Sequence, residues 1–524
     1  MQNFVNREAE LQLIEQQFNM LTEKNNLIRT QIIEFYGVGG IGKTTILRKI
    51  EQNCQDRQLP AIWADASQNM PDFSREIIDQ VQRYNVQFIR TDGNDWLNQS
   101  IIATRALLAK GPVVFLIDSL DADDEEQLNQ IEHILVDLTR DDKLLTILAS
   151  KRKVSFDNIL SIARRLTPPI QLKSFNRDSY ITFLNSLEQH IESEIRDIIF
   201  EWTGGYPLAI NVMAQAILDH NLDPRLENDK RQLISIIAEE VIRRGILANV
   251  SQTPHELAWY QTMLSLFSIP RRCNLSVMQR MIEKFAPHYK LGSSLAYMSL
   301  PRRINPTADV LNWDPSKAGF SVEPPIRHIF LMRLKIEDHN RYTAIHNFLA
   351  TTNRRLADEV SGTDRARYLQ EYLYHSANCE EGTVLQQIVE KTVQQIITEP
   401  LEYFLLFHED FVSDEELKTT LGVHSNTILS LTYRHLARIN MQIASESTEI
   451  ERVFYLREFF YYIILDPAVT NLLLHLSDII QQVVKEQSVA ICARLYEELL
   501  RDTRIKERCG ENIAVLSSLL DASS

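Results

Sequence analysis

One stretch constrains this chain more than any other: Gly37-Val38-Gly39-Gly40-Ile41-Gly42-Lys43-Thr44-Thr45. It follows an apolar run, Gln31–Tyr36, and precedes a helical pattern, Ile46–Asn53, so it reads as a strand–loop–helix junction. The spacing is GxxxxGK[ST]. Glycines let successive N–H groups turn toward one point, and without Cβ atoms nothing blocks an approaching phosphate. The helix start adds its partial positive charge. Lys43 is then placed to reach β- and γ-phosphates, and the Thr44 hydroxyl to ligate Mg²⁺. Gly37, Gly39, Gly40, Ile41, Gly42, Lys43, Thr44 and Thr45 form the expected phosphate-binding set.

Such a loop needs an acid at the end of a second strand to hold the metal. Val113-Val114-Phe115-Leu116-Ile117 is apolar enough for a central buried strand and ends in Asp118. A helix-capping aspartate is the plainer reading of Asp118. Three residues on, Asp121 sits in the acidic run Asp118–Glu125, where one carboxylate could orient an attacking water. Crowded carboxylates raise one another's pKa, which suits proton exchange. A solvated acidic loop explains Asp121 equally well.

The remaining strand candidates are Leu59–Ala64, Leu144–Ala149 and Ile170–Leu172, with helical periodicity in most of the gaps. An α/β domain with a parallel sheet is therefore predicted over 1–175. Beyond Asn176 helix formers dominate. Pro301–Ala318, with Pro306, Pro315 and Gly319 around Trp313, predicts a β-hairpin wing between helices. After Leu356 nearly everything is amphipathic helix, including Val489–Glu507 ending at Gly510. The chain of 524 residues is long enough for three or four such domains. No repeat of solenoid period is evident.

Composition narrows the partners. The net charge of −15 repels phosphate backbones, so nucleic-acid binding would need a local basic patch. Cys54, Cys273, Cys379, Cys492 and Cys509 are scattered without a CxxC, which fits a reducing, cytoplasmic setting. No apolar run approaches the roughly 18 residues of a membrane helix, and residues 1–30 carry no secretory pattern.

Taken in order, these motifs resemble the STAND class of P-loop NTPases, the signal-transduction ATPases that include the NB-ARC and NACHT proteins. Phe4-Val5-Asn6-Arg7-Glu8-Ala9-Glu10-Leu11 is similar to the class's opening hhGRExEL, which implies that Phe4, Val5 and Arg7 embrace the adenine side. Asn6 stands for the usual glycine. Asp118-Ser119-Leu120-Asp121 resembles the second motif, with Ala122 where the class has glutamate. Ser150-Lys151-Arg152 after Leu144–Ala149 resembles the sensor strand, so Lys151 or Arg152 would report on the γ-phosphate; a basic loop is the simpler account. Thr203-Gly204-Gly205-Tyr206-Pro207-Leu208-Ala209 matches the GxPLA motif of a helical lid (176–248), whose proline packs against adenine.

Phe267–Leu275 looks like the start of a winged-helix domain, 249–356, with a further helical region, 357–524, for sensing or partner docking. In relatives a winged-helix histidine touches ADP; His346 and His328 are candidates, without the MHD triplet. Within 357–524, Glu415–Ile439 has helix-turn-helix spacing, although Lys418 stands where a small residue is wanted.

The resemblance implies ATP and ADP with Mg²⁺ as cofactors. It implies a switch in which slow hydrolysis governs opening, nucleotide-dependent self-assembly or engagement of a separate effector or sensor protein. No effector domain is expected before Phe4, and DNA is not expected as the main ligand. The alternative is a transcription regulator of the same class reading DNA through the winged helix or Glu415–Ile439.

Overall fold

The computed structural model describes residues 7–23, 30–89, 95–120, 124–156, 162, 164–186, 191–247, 253–306, 309–315, 318–469, 479, 483, 485 and 487–509. They form two compact units, Met1–Tyr342 and Thr343–Ser524.

The first unit is built on a parallel sheet of five strands: β1 Ile32–Tyr36, β2 Ala61–Asp65, β3 Val113–Leu120, β4 Leu144–Ser150 and β5 Ile170–Gln171, in the order β2-β3-β4-β1-β5. The α/β expectation over the N-terminal region thus holds, with β2 beginning two residues later than its apolar run. Every residue of β4 is buried, as is β3 apart from Ser119, so both read as continuous apolar runs instead of alternating ones. The connecting helices are α1 Glu8–Thr22, α2 Lys43–Asp56, α3 Met70–Arg83, α4 Trp96–Leu108 and α5 Glu125–Leu138. Phe73, Ile77 and Val81 of α3 and Ile131 and Leu135 of α5 pack with Phe115 and Ile117 in one core. Chain order reverses at β1 and β4, which are paired in register Tyr36↔Ser150. Loops leaving the carboxyl ends of β1, β3 and β4 therefore meet along one edge, where open α/β sheets bind ligands.

Strand β2 lies at the sheet's edge, where unpaired backbone groups would invite another strand. Side chains of and beside α3 occupy them. Gln80 accepts from the Trp63 N–H at 2.8 Å and donates back to its carbonyl, while Tyr84 Oη accepts from the Ala61 N–H at 3.0 Å. Gln80→Ala should cost about 1 kcal/mol by freeing both Trp63 groups. Light scattering of the variant on mild heating should rise earlier than that of the parent; coincident curves would mean that the edge needs no such cover.

Beyond β5 come four helices, α6 Arg177–Ser186, α7 Ser193–Thr203, α8 Pro207–His220 and α9 Glu227–Glu240. Gly204 ends α7 at φ 56, the left-handed cap that glycine favours, and Pro207 opens α8 at its first turn. A π-helical turn, Val241–Ile246, follows α9 directly. Next come α10 Pro254–Phe267, α11 Leu275–Phe285, α12 Leu300–Ile304, the antiparallel hairpin β6 Leu311–Asp314 and β7 Gly319–Val322, and α13 Pro324–Glu337. The hairpin overlaps the predicted stretch Pro301–Ala318, its second strand beginning just past that end at Gly319.

The second unit is helical: most of α14 His339–Glu359, then α15 Gly362–Ala377, α16 Gly382–Ile397, α17 Leu401–Ser413, α18 Glu415–Leu421, α19 His424–Glu446, α20 Glu449–Leu465, α21 Val489–Arg501 and α22 Thr503–Cys509. Two sequence expectations change here. Val489–Glu507 is not one helix: Asp502 is extended (φ −70, ψ 111) and separates α21 from α22, while Gly510 lies outside the described residues. The Glu415–Ile439 stretch does turn at Gly422, but its second helix continues to Glu446. Ile428, Thr432, Tyr433 and Leu436 of that helix are buried, and Arg434 pairs with Asp466 at 2.7 Å. Among the described residues no helix is long and apolar enough to cross a membrane.

Candidate functional site

The loop between β1 and α2 turns as its glycines allow: Gly40 and Gly42 have φ of 74 and 104, values that a side chain disfavours. The first intrahelical bond of α2 runs from Ile46 N–H to Gly42 carbonyl. The N–H groups of Lys43, Thr44 and Thr45 thus start the helix without i−4 acceptors and are available to an anion. Lys43 folds back over the loop, its Nζ donating to the carbonyls of Gly37 at 2.6 Å and Val38 at 3.0 Å. Its pKa is lowered to about 8, mainly by burial and partly by Lys151, with Asp118 opposing both. An ammonium so placed gains from any anion that replaces these neutral acceptors.

Facing Lys43 is the end of β3. Ser119 adopts φ 59 and the β3–β4 register shifts beside it, a bulge that re-aims the strand end. Asp118 accepts from the Ser119 N–H at 2.8 Å and hydrogen-bonds the Thr44 side chain. Burial raises its carboxyl, with Asp65 adding to the effect, while the Thr44 and Ser119 bonds pull it down. Thr44 and Asp118 together could hold a divalent cation whose other ligands are phosphate oxygens and water. Among the described residues no cluster of three or more His, Cys, Asp or Glu side chains is arranged to hold a metal by itself.

A cleft of about 910 Å³ brings the expected Gly39, Gly40, Lys43, Thr44, Asp118, Lys151 and Arg152 together, with Asn69, Glu126, Gln127 and Arg244 also on its walls. Arg152 is engaged elsewhere as well: it pairs with Asp309 at 3.0 Å and donates to the Asn305 carbonyl. Arg7 lies behind the loop. Its guanidinium donates to the carbonyls of Ile41 at 3.0 Å and Lys173 at 2.8 Å, tying the phosphate loop to the segment after β5. Phe4, Val5 and Asp121 lie outside the described residues.

Pro207 is half-buried and does not line this cleft; its neighbours make the contacts. Tyr206, fully buried, donates its hydroxyl to the Gly39 carbonyl, and a Cβ on Gly40 would come within 2.6 Å of Leu208. This motif therefore meets the phosphate loop through Tyr206, the position that the GxPLA pattern leaves open, and through its leucine, Leu208. His328 rests on the turn after α7, its Nε2 2.5 Å from the Glu201 carbonyl. His346 is buried in the second unit, 3.0 Å from His375.

Residues 11–187, which hold the sheet, the phosphate loop and Asp118, match the sequence model of the NB-ARC domain. The chain carries an NB-ARC domain. Over those residues it is similar to P-loop NTPases of the STAND type, as the motif order predicts. No curated protein sequence matches the chain. Solved structures with partial likeness include Cdc6p from Pyrobaculum aerophilum, 14% identical over 64% of this chain and 95% of that one, TM-score 0.34. AMPPCP-bound DnaA from Aquifex aeolicus is 17% identical over 58% and 88%, TM-score 0.32. The Aeropyrum pernix ORC1 protein in complex with DNA is 13% identical over 66% and 95%, TM-score 0.33. Likenesses this distant transfer no ligand or partner to the NB-ARC chain.

Proposed function

We propose that this NB-ARC protein is an adenine-nucleotide switch. ATP or ADP with Mg²⁺ occupies the cleft of Lys43, Thr44 and Asp118, and slow hydrolysis resets the state. The observation that carries the proposal is the joint grip on Gly39: the phosphate loop supplies its carbonyl, and Tyr206 of the lid donates to it. A ligand that moves the loop must move or break that contact. Nucleotide can shift the equilibrium only by its differential affinity for the two arrangements, and this contact is one place where the difference arises. Arg152 is another, because a phosphate and the Asp309 carboxylate compete for one guanidinium.

In this reading 1–175 is the NTPase domain, 176–248 the lid and 249–356 a winged helix, with 357–524 available to a separate sensor or effector protein. Nucleotide-dependent self-assembly is the expected output. Asp121 remains the proposed water-orienting acid. Adenine is proposed over guanine because no Asn/Thr-Lys-x-Asp sequence follows the sensor strand.

The pH dependence of binding tests the site. Free Lys43 titrates at about 8, and a phosphate partner raises that pKa, so binding takes up a proton above pH 8. Affinity for ADP should be flat from pH 6.5 to about 7.5 and then fall by up to about tenfold per pH unit. Titration calorimetry in two buffers of different ionisation enthalpy reads the proton directly. A flat affinity from pH 7 to 9.5 would mean that Lys43 is not the phosphate contact.

A further inference from the structure

The π-helical turn Val241–Ile246 has no part in the switch as described so far, yet its backbone abuts the phosphate loop. A Cβ on Gly39 would meet the Gly245 carbonyl at 2.5 Å and the Arg244 carbonyl at 2.9 Å. Only a glycine at 39 admits that approach. Widening one turn of a helix rotates the side chains that follow it, and π-turns recur at functional positions for that reason. Here two adjacent arginines are turned to different sides. Arg243 pairs with Glu239 at 2.7 Å and is not among the cleft residues. Arg244 lines the cleft with Lys43, Thr44, Asp118, Lys151 and Arg152, and its Nε bonds Glu240 at 2.6 Å.

We infer that Arg244 is a lid-borne contact for the outermost phosphate of a bound nucleoside triphosphate, held in reserve by Glu240. The inference rests on the proposed nucleotide site and adds the residue by which the lid distinguishes triphosphate from diphosphate. Arg244 is 61% exposed against 26% for Glu240, so the guanidinium is the freer end of the pair. A surface i,i+4 ion pair is weak, so exchanging it for a phosphate in a partly enclosed cleft is favourable. Because the same turn touches Gly39 through its backbone, capture of the terminal phosphate by Arg244 pulls the end of α9 toward the loop. Diphosphate lacks the oxygen atoms that reach this wall and leaves Arg244 on Glu240.

The test is equilibrium binding of a non-hydrolysable ATP analogue and of ADP to the full chain, with Arg244→Ala, Arg243→Ala, Glu240→Gln and Lys43→Ala. Arg244→Ala should weaken the analogue by about tenfold or more, the scale of one charge-assisted bond, while ADP changes by less than about twofold. Glu240→Gln should tighten the analogue, and Arg243→Ala should leave both ligands unchanged. Equal loss of analogue and ADP in Arg244→Ala, or equal effects of the two arginines, overturns the inference and leaves the nucleotide site standing. Parent protein that binds neither ligand, indistinguishable from Lys43→Ala, overturns the site itself and the inference with it.

Discussion

Lys43→Ala should abolish the response to nucleotide while leaving the empty protein at least as stable. The side chain supplies two charged hydrogen bonds that now go to the Gly37 and Val38 carbonyls and would pass to phosphate. Bonds from charged groups are worth about 1.5–3 kcal/mol each, so losing both weakens ADP and ATP alike by about 100-fold or more. Stability moves the other way. Burial holds Lys43 at about 8, below its ordinary 10.5, so the folded state binds fewer protons than the unfolded chain between those values. The charge is a cost below pH 8, relieved as pH rises toward 10.5, and the alanine variant does not carry it. In thermal melts the parent should gain several degrees from excess ADP, and Lys43→Ala none, from an equal or higher starting midpoint. A variant that melts lower and still responds to ADP would mean that Lys43 is structural.

The second large effect is predicted for Gly205→Ala. Gly205 has φ 74, and a Cβ there would lie well inside contact distance of the Phe175 carbonyl oxygen. The same pair is joined by a bond from Phe175 N–H to the Gly205 carbonyl at 2.8 Å, so the two backbones cannot separate without losing it. Left-handed strain and a backbone clash together should cost about 3 kcal/mol or more. Gly292→Ala is the control, because nothing lies within 4 Å of its Cβ position; it should stay within about 0.5 kcal/mol. Urea denaturation followed by tryptophan fluorescence measures both, Trp202 lying in α7 just before this turn. Equal midpoints for the two variants would contradict the close approach described here.

Gly42 and Lys43 are readable because phosphate binding needs a local pattern, glycine angles followed by a helix start. Asp118 is readable because the apolar run before it can only be a buried strand. Contacts between distant segments leave no such trace. The Tyr206 hydroxyl meets Gly39 across 167 residues, and Arg152 meets Asn305 across 153. Nothing in the periodicity around either predicts a partner. Arg7 is an intermediate case: its motif points to the nucleotide, yet its guanidinium is spent on the Ile41 and Lys173 carbonyls, so its influence passes through the loop. Arg244 depends on one widened helical turn, Val241–Ile246, which no local pattern announces. Helix ends behave similarly: Asp502 breaks a pattern that periodicity continues, and α19 outlasts its predicted end because its buried face extends to Ala444.

The central claim is that the cleft of Lys43, Thr44 and Asp118 holds adenine nucleotide. Its most direct test is calorimetric titration of the full chain, stripped of any bound nucleotide, with MgADP, MgATP and MgGTP beside an Asp118→Asn variant. The account predicts one site per chain and micromolar or tighter binding of both adenine nucleotides. It predicts weaker GTP binding, and a variant in which Mg²⁺ no longer improves affinity. Absence of binding by either adenine nucleotide, or undiminished Mg²⁺ dependence in Asp118→Asn, would contradict it.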